Sequence, residues 1–327
     1  MDLTRFPRRR YTPESTPIDR LERFSRALGA NAPTIYLKRD DQLGLTGSGN
    51  KTRKLEFLVA DALAQGADTL ITCGGVQSNH CRLTLAAAVR EGLRCRLVLA
   101  ATPGACRNDG GGNLLLYRLL GVEQIIPVPW GANLNAALDH ADAEARTQGR
   151  KPYVIPLGGS TPLGALGYVA CAGEILEQGP EFEHIILPVG SAGTLAGLVV
   201  GLRGRGCGTP VTGMSVLQPR AAAQAAALDL ARATAALLGT GAPAPEDIVC
   251  PDDYLGAGYT LPTPGMIEAV RLLASTEGIL LDPTYTGKAM AGLIDLVRQG
   301  RWHKGDRVLF LHTGGIPGLY ASPELFL

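Results

Sequence analysis

From about residue 50 onward, short runs rich in β-branched residues alternate with longer stretches whose apolar positions recur at helical spacing, and glycines separate the two. Parallel strand neighbours need a long crossover, usually a helix, so this alternation confines the chain to repeated β-α units. The fold class is α/β, with open twisted parallel sheets. Strands are expected at 35–39, 69–73, 94–100, 123–128, 153–157, 184–189, 211–217 and 307–312. The clearest helix is 51–65, where Leu55, Leu58, Val59, Ala62 and Leu63 share one face and Gly66 supplies a left-handed end.

Charge and composition narrow the partners. The 31 basic and 30 acidic side chains nearly cancel, which argues against a polyanion-binding protein. No apolar run approaches the ~18–20 residues of a membrane span, and the Ala-rich stretch 221–239 is broken by Asp229 and Arg232. Arginines at positions 5, 8, 9 and 10 lack a following apolar segment, so a cytoplasmic protein with neither nucleic-acid nor membrane partner is expected. The seven cysteines are odd in number and lack C-x-x-C spacing; with Cys73, His80 and Cys81 matching no ligand pattern, no metal is expected.

Two glycine clusters, Gly47-Ser48-Gly49 and Gly158-Gly159-Ser160, bracket a self-sufficient β/α block. They imply a small domain at 51–157 and a discontinuous larger one at 1–50 and 158–327. The Gly-, Pro- and Asp-rich stretch 240–264 reads as a long loop, and loops of that length are often functional; it carries Tyr254 and Tyr259.

Several segments join strand ends to helix starts, where ligands of open α/β sheets bind. Gly44 to Thr52 has the look of a phosphate-binding P-loop, but Asn50 separates the last glycine from Lys51, so the lysine cannot fold back as that loop requires. What remains is Lys51 on the first turn of an amphipathic helix, where the helix dipole disfavours its ammonium form and suits an amine nucleophile. Ser78, Asn79 and His80 follow Gly74-Gly75 at a helix start, a seat for a carboxylate, although Ser78 or Asn79 serves equally as an ordinary N-cap. Gly190-Ser191-Ala192-Gly193-Thr194 is no dinucleotide fingerprint, yet its glycines and hydroxyls at a helix start suit one phosphate. Near the C-terminus, Tyr285 and Thr313 are polar groups at sheet-edge positions. A lysine, a phosphate seat, a carboxylate seat and extra hydroxyls are the parts needed to hold pyridoxal 5′-phosphate and an amino acid.

The ordered blocks SGNKTRKLEF, GGVQSNH, GGSTPLGALGY, PVGSAGTLAG, DPTYTGKAM and HTGG cover nearly the whole chain. They resemble the fold type II pyridoxal-phosphate enzymes of the group that contains D-cysteine desulfhydrase, 1-aminocyclopropane-1-carboxylate deaminase and L-cysteate sulfo-lyase. The resemblance implies two domains with cofactor in the cleft between them, and a homodimer. It implies that Lys51 binds the cofactor covalently, with Asn50 alongside, and that Asn79 bonds the pyridine 3′-oxygen. Ser78, Asn79 and His80 would receive the substrate carboxylate. Gly190, Ser191, Ala192, Gly193 and Thr194 would hold the phosphate, Thr313 would face the pyridine nitrogen, and Tyr285 and Tyr259 would flank cofactor and substrate.

Within that group, the deaminases resemble one another in a glutamate after the DP-x-Y tyrosine and a leucine before the last Gly-Gly, whereas this chain has Thr286 and Thr313. A hydroxyl near the pyridine nitrogen makes a weaker electron sink than a carboxylate, still sufficient to eliminate a good leaving group. With Gly158-Gly159-Ser160 and Leu163 to Tyr168, the pattern is similar to the D-cysteine desulfhydrase members and implies loss of sulfide from a small amino acid. Loss of sulfite from cysteate would ask for positive charge near Cβ, for which Arg107 and Arg220 are candidates. The same blocks would also suit the deaminase reaction, or a protein that binds pyridoxal phosphate without catalysis.

Overall fold

The computed structural model describes residues 1–101 and 110–327. In chain order the strands are β1 (Ile18–Arg20), β2 (Thr34–Lys38), β3 (Thr69–Gly75), β4 (Arg94–Ala100), β5 (Gln124–Val128), β6 (Pro152–Ile155), β7 (His184–Val189), β8 (Val211–Ser215) and β9 (Arg307–Leu311). The helices are α1 (Glu22–Ala27), α2 (Lys51–Ala64), α3 (Asn79–Arg90), α4 (Asn113–Leu119), α5 (Leu134–Thr147), α6 (Pro162–Gln178), α7 (Gly193–Arg203), α8 (Arg220–Leu238), α9 (Pro264–Glu277), α10 (Thr286–Arg298) and α11 (Ile316–Tyr320).

These elements build two sheets. One is wholly parallel, in the order β5-β4-β3-β6, and is drawn from the middle of the chain. The other, β1-β2-β9-β7-β8, is drawn from both ends and is parallel except at one edge. All eight expected strands form. The exception to the expected pattern is β1, which pairs antiparallel with β2, Ile18 opposite Lys38 and Arg20 opposite Tyr36. Three residues are too few to display a strand period, so nothing in the sequence marks it. The Ala-rich stretch is α8, and among the described residues no helix is long and apolar enough to cross a membrane.

Local chemistry sets the ends of the helices nearest the cleft. Thr161 and Thr263 cap α6 and α9 through their hydroxyls, each followed by proline, whose fixed φ suits the first helical turn. Helix α2 ends as expected, with Gly66 at φ +69°.

Helix α2 lies between the two sheets and serves both cores. Its Leu55, Leu58, Val59 and Ala62 pack with β3, β4 and α3, while Phe57 packs with α6, α7 and β7. Glycine lets these helices meet backbone to backbone: a Cβ on Gly167 would stand 2.3 Å from the Arg53 carbonyl oxygen, and one on Gly197 would stand 2.2 Å from that of Ala165. A buried ionic network locks the arrangement. Arg53 donates to Asp40 through Nε and Nη2, both at 2.8 Å, and to Glu174 at 2.6 and 2.8 Å; Tyr168 and Thr16 also donate to Asp40, at 2.6 and 2.8 Å.

Gly197→Ala, which adds a methyl group where α7 crosses α6, is expected to cost about 1–3 kcal/mol through overpacking. A denaturation midpoint equal to that of the parent protein would show that this crossing is not set by backbone contact.

Candidate active site

Lys51 opens α2 behind a loop that ordinary residues would not adopt. Gly47, Ser48 and Gly49 all have positive φ, at +70°, +52° and +133°. Arg82, buried on α3, holds this turn: Nε donates to Thr46 O at 3.0 Å and Nη2 to Ser48 O at 2.6 Å. From the other sheet, the carbonyl oxygen of Thr313 accepts from Asn50 N at 3.1 Å. The loop is thus fixed from both sides, and the Lys51 Nζ stands 5.2 Å from the centre of the Tyr285 ring. Burial lowers the Lys51 amine to about 8, with Arg82 acting in the same direction and Asp282 opposing.

One turn on, Lys54 is fully buried. Its Nζ donates to Gly158 O at 3.1 Å and to Ser160 Oγ at 3.2 Å. Among the described residues, neither Lys51 nor Lys54 has a carboxylate within ion-pairing distance, and burial, with Lys51 close by, holds Lys54 well below the usual lysine range.

The Lys54 ammonium lies at the head of α7. A Cβ on Gly193 would come within 2.7 Å of Lys54 Nζ and 2.6 Å of Ser160 Oγ. Ala192, at φ +66°, turns the chain from β7 into the helix, whose first i→i−4 bond runs from Ala196 N to Ala192 O. The N–H groups of Thr194 and Leu195 come ahead of that bond, at the positive end of the helix. Ser191 Oγ meets Ser160 Oγ at 2.8 Å, and Thr194 Oγ1 accepts from Asn50 Nδ2 at 2.9 Å. Two hydroxyls, free amide hydrogens and a buried cation without a countercharge form a seat that fits a phosphate dianion.

At the end of β3, Gly74 and Gly75 lead to Ser78, which caps α3 by accepting from Cys81 N at 3.2 Å while also lining the cleft. Asn79 lies behind it. Its Oδ1 accepts from Arg82 at 2.7 Å and from Asn113 at 3.1 Å, which leaves its amide hydrogens as the group on offer. His80 lines the cleft with Nε2 2.7 Å from Thr72 Oγ1; burial, Lys51 and Lys54 keep it uncharged.

The opposite wall is aromatic. The Tyr259 and Tyr285 hydroxyls share a 2.5 Å hydrogen bond, their rings meet edge to face, and Trp130 stacks on Tyr259 at 6.1 Å. Burial raises both phenols, Tyr259 to about 12, so both stay protonated near neutrality. Tyr285 is held by Asp282, whose Oδ2 accepts from the backbone N–H groups of Thr284 and Tyr285, both at 2.9 Å. Thr286 is spent on the same cap, donating to Asp282 Oδ1 at 2.7 Å, and does not line the cleft; Thr313 does.

The empty space of the cleft, counted together with its open mouth, is about 850 Å³. It gathers Asn50, Lys51, Ser78, His80, Gly190 to Thr194, Tyr259, Tyr285 and Thr313 from the sequence analysis, with Asn79 just behind. Lys54 and Trp130 also line it, and Ser160 reaches Lys54 from behind at 3.2 Å; sequence reasoning placed none of the three in the site. For Lys54 a signal existed, since positions i and i+3 of a helix share a face. Tyr254 instead bonds Asp295 at 2.7 Å outside the cleft, and Arg220 pairs with Asp252 and Asp253 and does not line it. Arg107 lies outside the described residues.

Comparison with known proteins agrees with this chemistry. Residues 10–314 match the family model described as pyridoxal-phosphate dependent enzyme. The chain is 45% identical to the D-cysteine desulfhydrases of Salmonella typhimurium and of Salmonella paratyphi C, over 98% of its length and 97% of theirs. The crystal structure of an ACC deaminase homologue superposes with a TM-score of 0.89 at 38% identity, covering 98% of this chain and 96% of that one. That of O-ureido-L-serine synthase shares the fold, with a TM-score of 0.65 at 20% identity, covering 95% and 93%. The chain therefore belongs to the pyridoxal-phosphate-dependent enzymes of fold type II.

Two outcomes are expected. Lys54→Met should weaken pyridoxal phosphate binding to apo-protein by about 10- to 100-fold, the worth of a charge-assisted hydrogen bond, and leave the binding of phosphate-free pyridoxal unchanged. Equal loss for both would remove Lys54 from the phosphate seat. A Lys51 amine that is neutral above pH 8 also implies that cofactor loading accelerates as pH rises through about 8. Stopped-flow absorbance checks this, and a rise centred near 10.5, the ordinary lysine value, would contradict it.

Proposed function

We propose that the protein eliminates hydrosulfide from D-cysteine, giving sulfide, pyruvate and ammonia; its Salmonella relatives bear the name D-cysteine desulfhydrase. The observation that carries the reading is a neutral-leaning amine, Lys51, set between a phosphate-type seat, a carboxylate-type seat and a pair of protonated phenols. When bound, pyridoxal phosphate supplies an electron sink for the carbon that bears the substrate amine.

In this reading the head of α7, with Ser160, Ser191 and Lys54, would hold the phosphate, Asn50 and Asn79 would serve the ring, and Thr313 would offer its nitrogen an uncharged hydroxyl. Ser78 and the first turn of α3, with His80 behind, take the substrate carboxylate. Lys51 removes the proton from the α-carbon, for which its lowered basicity near 8 is well matched. Tyr259 and Tyr285, held protonated, donate toward the departing sulfur. The carbon–sulfur bond breaks, hydrosulfide leaves, and water hydrolyses the released enamine to pyruvate and ammonia. Among the described cleft residues no arginine faces this space, which favours a thiol over a sulfonate as the group that leaves. The reading keeps a small middle domain at 51–157, a larger one from 1–50 and 158–327, and a cytoplasmic homodimer.

Purified protein is tested with D-cysteine, L-cysteine, L-cysteate and 1-aminocyclopropane-1-carboxylate, with sulfide, sulfite, pyruvate and 2-oxobutyrate measured. Sulfide and pyruvate from D-cysteine alone are expected, and Lys51→Ala should lose both turnover and the visible absorbance of the bound cofactor. Sulfite from cysteate, or 2-oxobutyrate from the cyclopropane acid, would replace the substrate while keeping Lys51. A Lys51→Ala enzyme with full turnover would end the proposal.

A further inference from the structure

Tyr259 is offered to the cleft by a segment built largely of small residues. None of the residues 255–260 is fully buried, Gly256, Gly258 and Thr260 have φ of +69°, +149° and +65°, and residues 256–258 are glycine, alanine and glycine. Lys288, on α10 one turn beyond Tyr285 and 0% exposed, reaches this segment. Lys288 Nζ donates to Leu255 O and to Gly258 O, each at 2.8 Å. Among the described residues no carboxylate lies within ion-pairing distance of it. Burying an ammonium against carbonyls alone is costly, and an apolar side chain would serve the packing of α10 as well. The cost is offset by two hydrogen bonds that both land on the Tyr259 segment.

We propose that Lys288 is a positioning residue, which sets Tyr259 in the cleft by gripping the carbonyls on either side of the Gly256–Ala257 bend. Helix α10 then meets Tyr259 twice, at its phenol through Tyr285 and at its backbone through Lys288. The inference rests on the reading of Tyr259 as part of the catalytic cleft. Trp130, stacked on Tyr259 and 47% exposed, gives the segment its own reporter, and Trp302, 6% exposed and outside the cleft, is insensitive to it.

The test compares holoenzymes carrying Lys288→Met, Lys288→Gln, Tyr259→Phe and the Met/Phe double substitution. Lys288→Met is expected to keep the cofactor's visible absorbance, to shift the Trp130 emission, and to lower kcat/KM by about 100-fold, the scale of an ångström's misplacement. Lys288→Gln, which can still donate to a carbonyl, should recover part of both readouts and stands in if the methionine variant fails to fold. Tyr259→Phe should lower kcat/KM with the emission unchanged, and the double variant should be no slower than the slower single one. Losses that multiply, with Tyr259→Phe impaired, would overturn the role of Lys288 alone. An unimpaired Tyr259→Phe enzyme would overturn the reading of Tyr259 and this inference with it.

Discussion

Three basic side chains, Arg53 and Lys54 buried and Lys51 half-buried, sit on the first turn of one helix, at the end where the helix dipole is least hospitable to positive charge. Their fates differ. Arg53 is neutralised by Asp40 and Glu174, and the geometry of α2 against α6 is fixed by that network. Burial alone would raise the Asp40 carboxyl, but Arg53 holds it below its usual range, so the pair is ionic near neutrality. Lys51 and Lys54 are given no such partner. Lys54 bonds two neutral oxygens, those of Gly158 and Ser160, and Lys51 faces the cleft, so both are placed to meet a group that enters there.

Close helix crossings carry that demand to the right place. Gly167 brings α6 against the backbone of α2, Gly197 brings α7 against α6, and Gly193 leaves room for Lys54 at the head of α7. A single extra carbon at any of these points would push the phosphate seat away from Lys54 or from Lys51. On the other side of the cleft, Gly49 and Gly314 face each other, a Cβ on Gly314 reaching 2.8 Å from Gly49 Cα, so that β9 and the Lys51 loop meet through Asn50 N and Thr313 O. Glycine abundance, which the sequence presents as a surplus of turns, is in the structure shared between such turns and the close approaches that bring helix starts together.

The alternation of strand and helix made the sheets legible, since each expected strand carries its own β-branched run, and Ser78, Lys51 and the 190–194 loop were legible because they sit where strands end. Other features were hidden for physical reasons. β1 is too short to show a period. Lys54 and Ser160 meet across more than a hundred residues of chain, and Lys288 looks like any solvated helix lysine until the fold buries it. Thr286, which the family pattern sets beside Thr313, turns inward to cap α10, so of the two hydroxyls only that of Thr313 faces the cleft.

Asp282 shows how the site keeps its cations unpaired with a carboxylate so close. It lies near enough to oppose the lowering of both Lys51 and Lys288, yet its oxygens accept from three backbone N–H groups and the Thr286 hydroxyl at the start of α10. A carboxylate so engaged has its lone pairs spent on a helix start, where negative charge is already favoured. It therefore tempers the field at Lys51 without forming a salt bridge that a substrate would have to break. The same cap orients Tyr285, so one buried charge both limits how far the lysine is depressed and aims the ring that stands beside it.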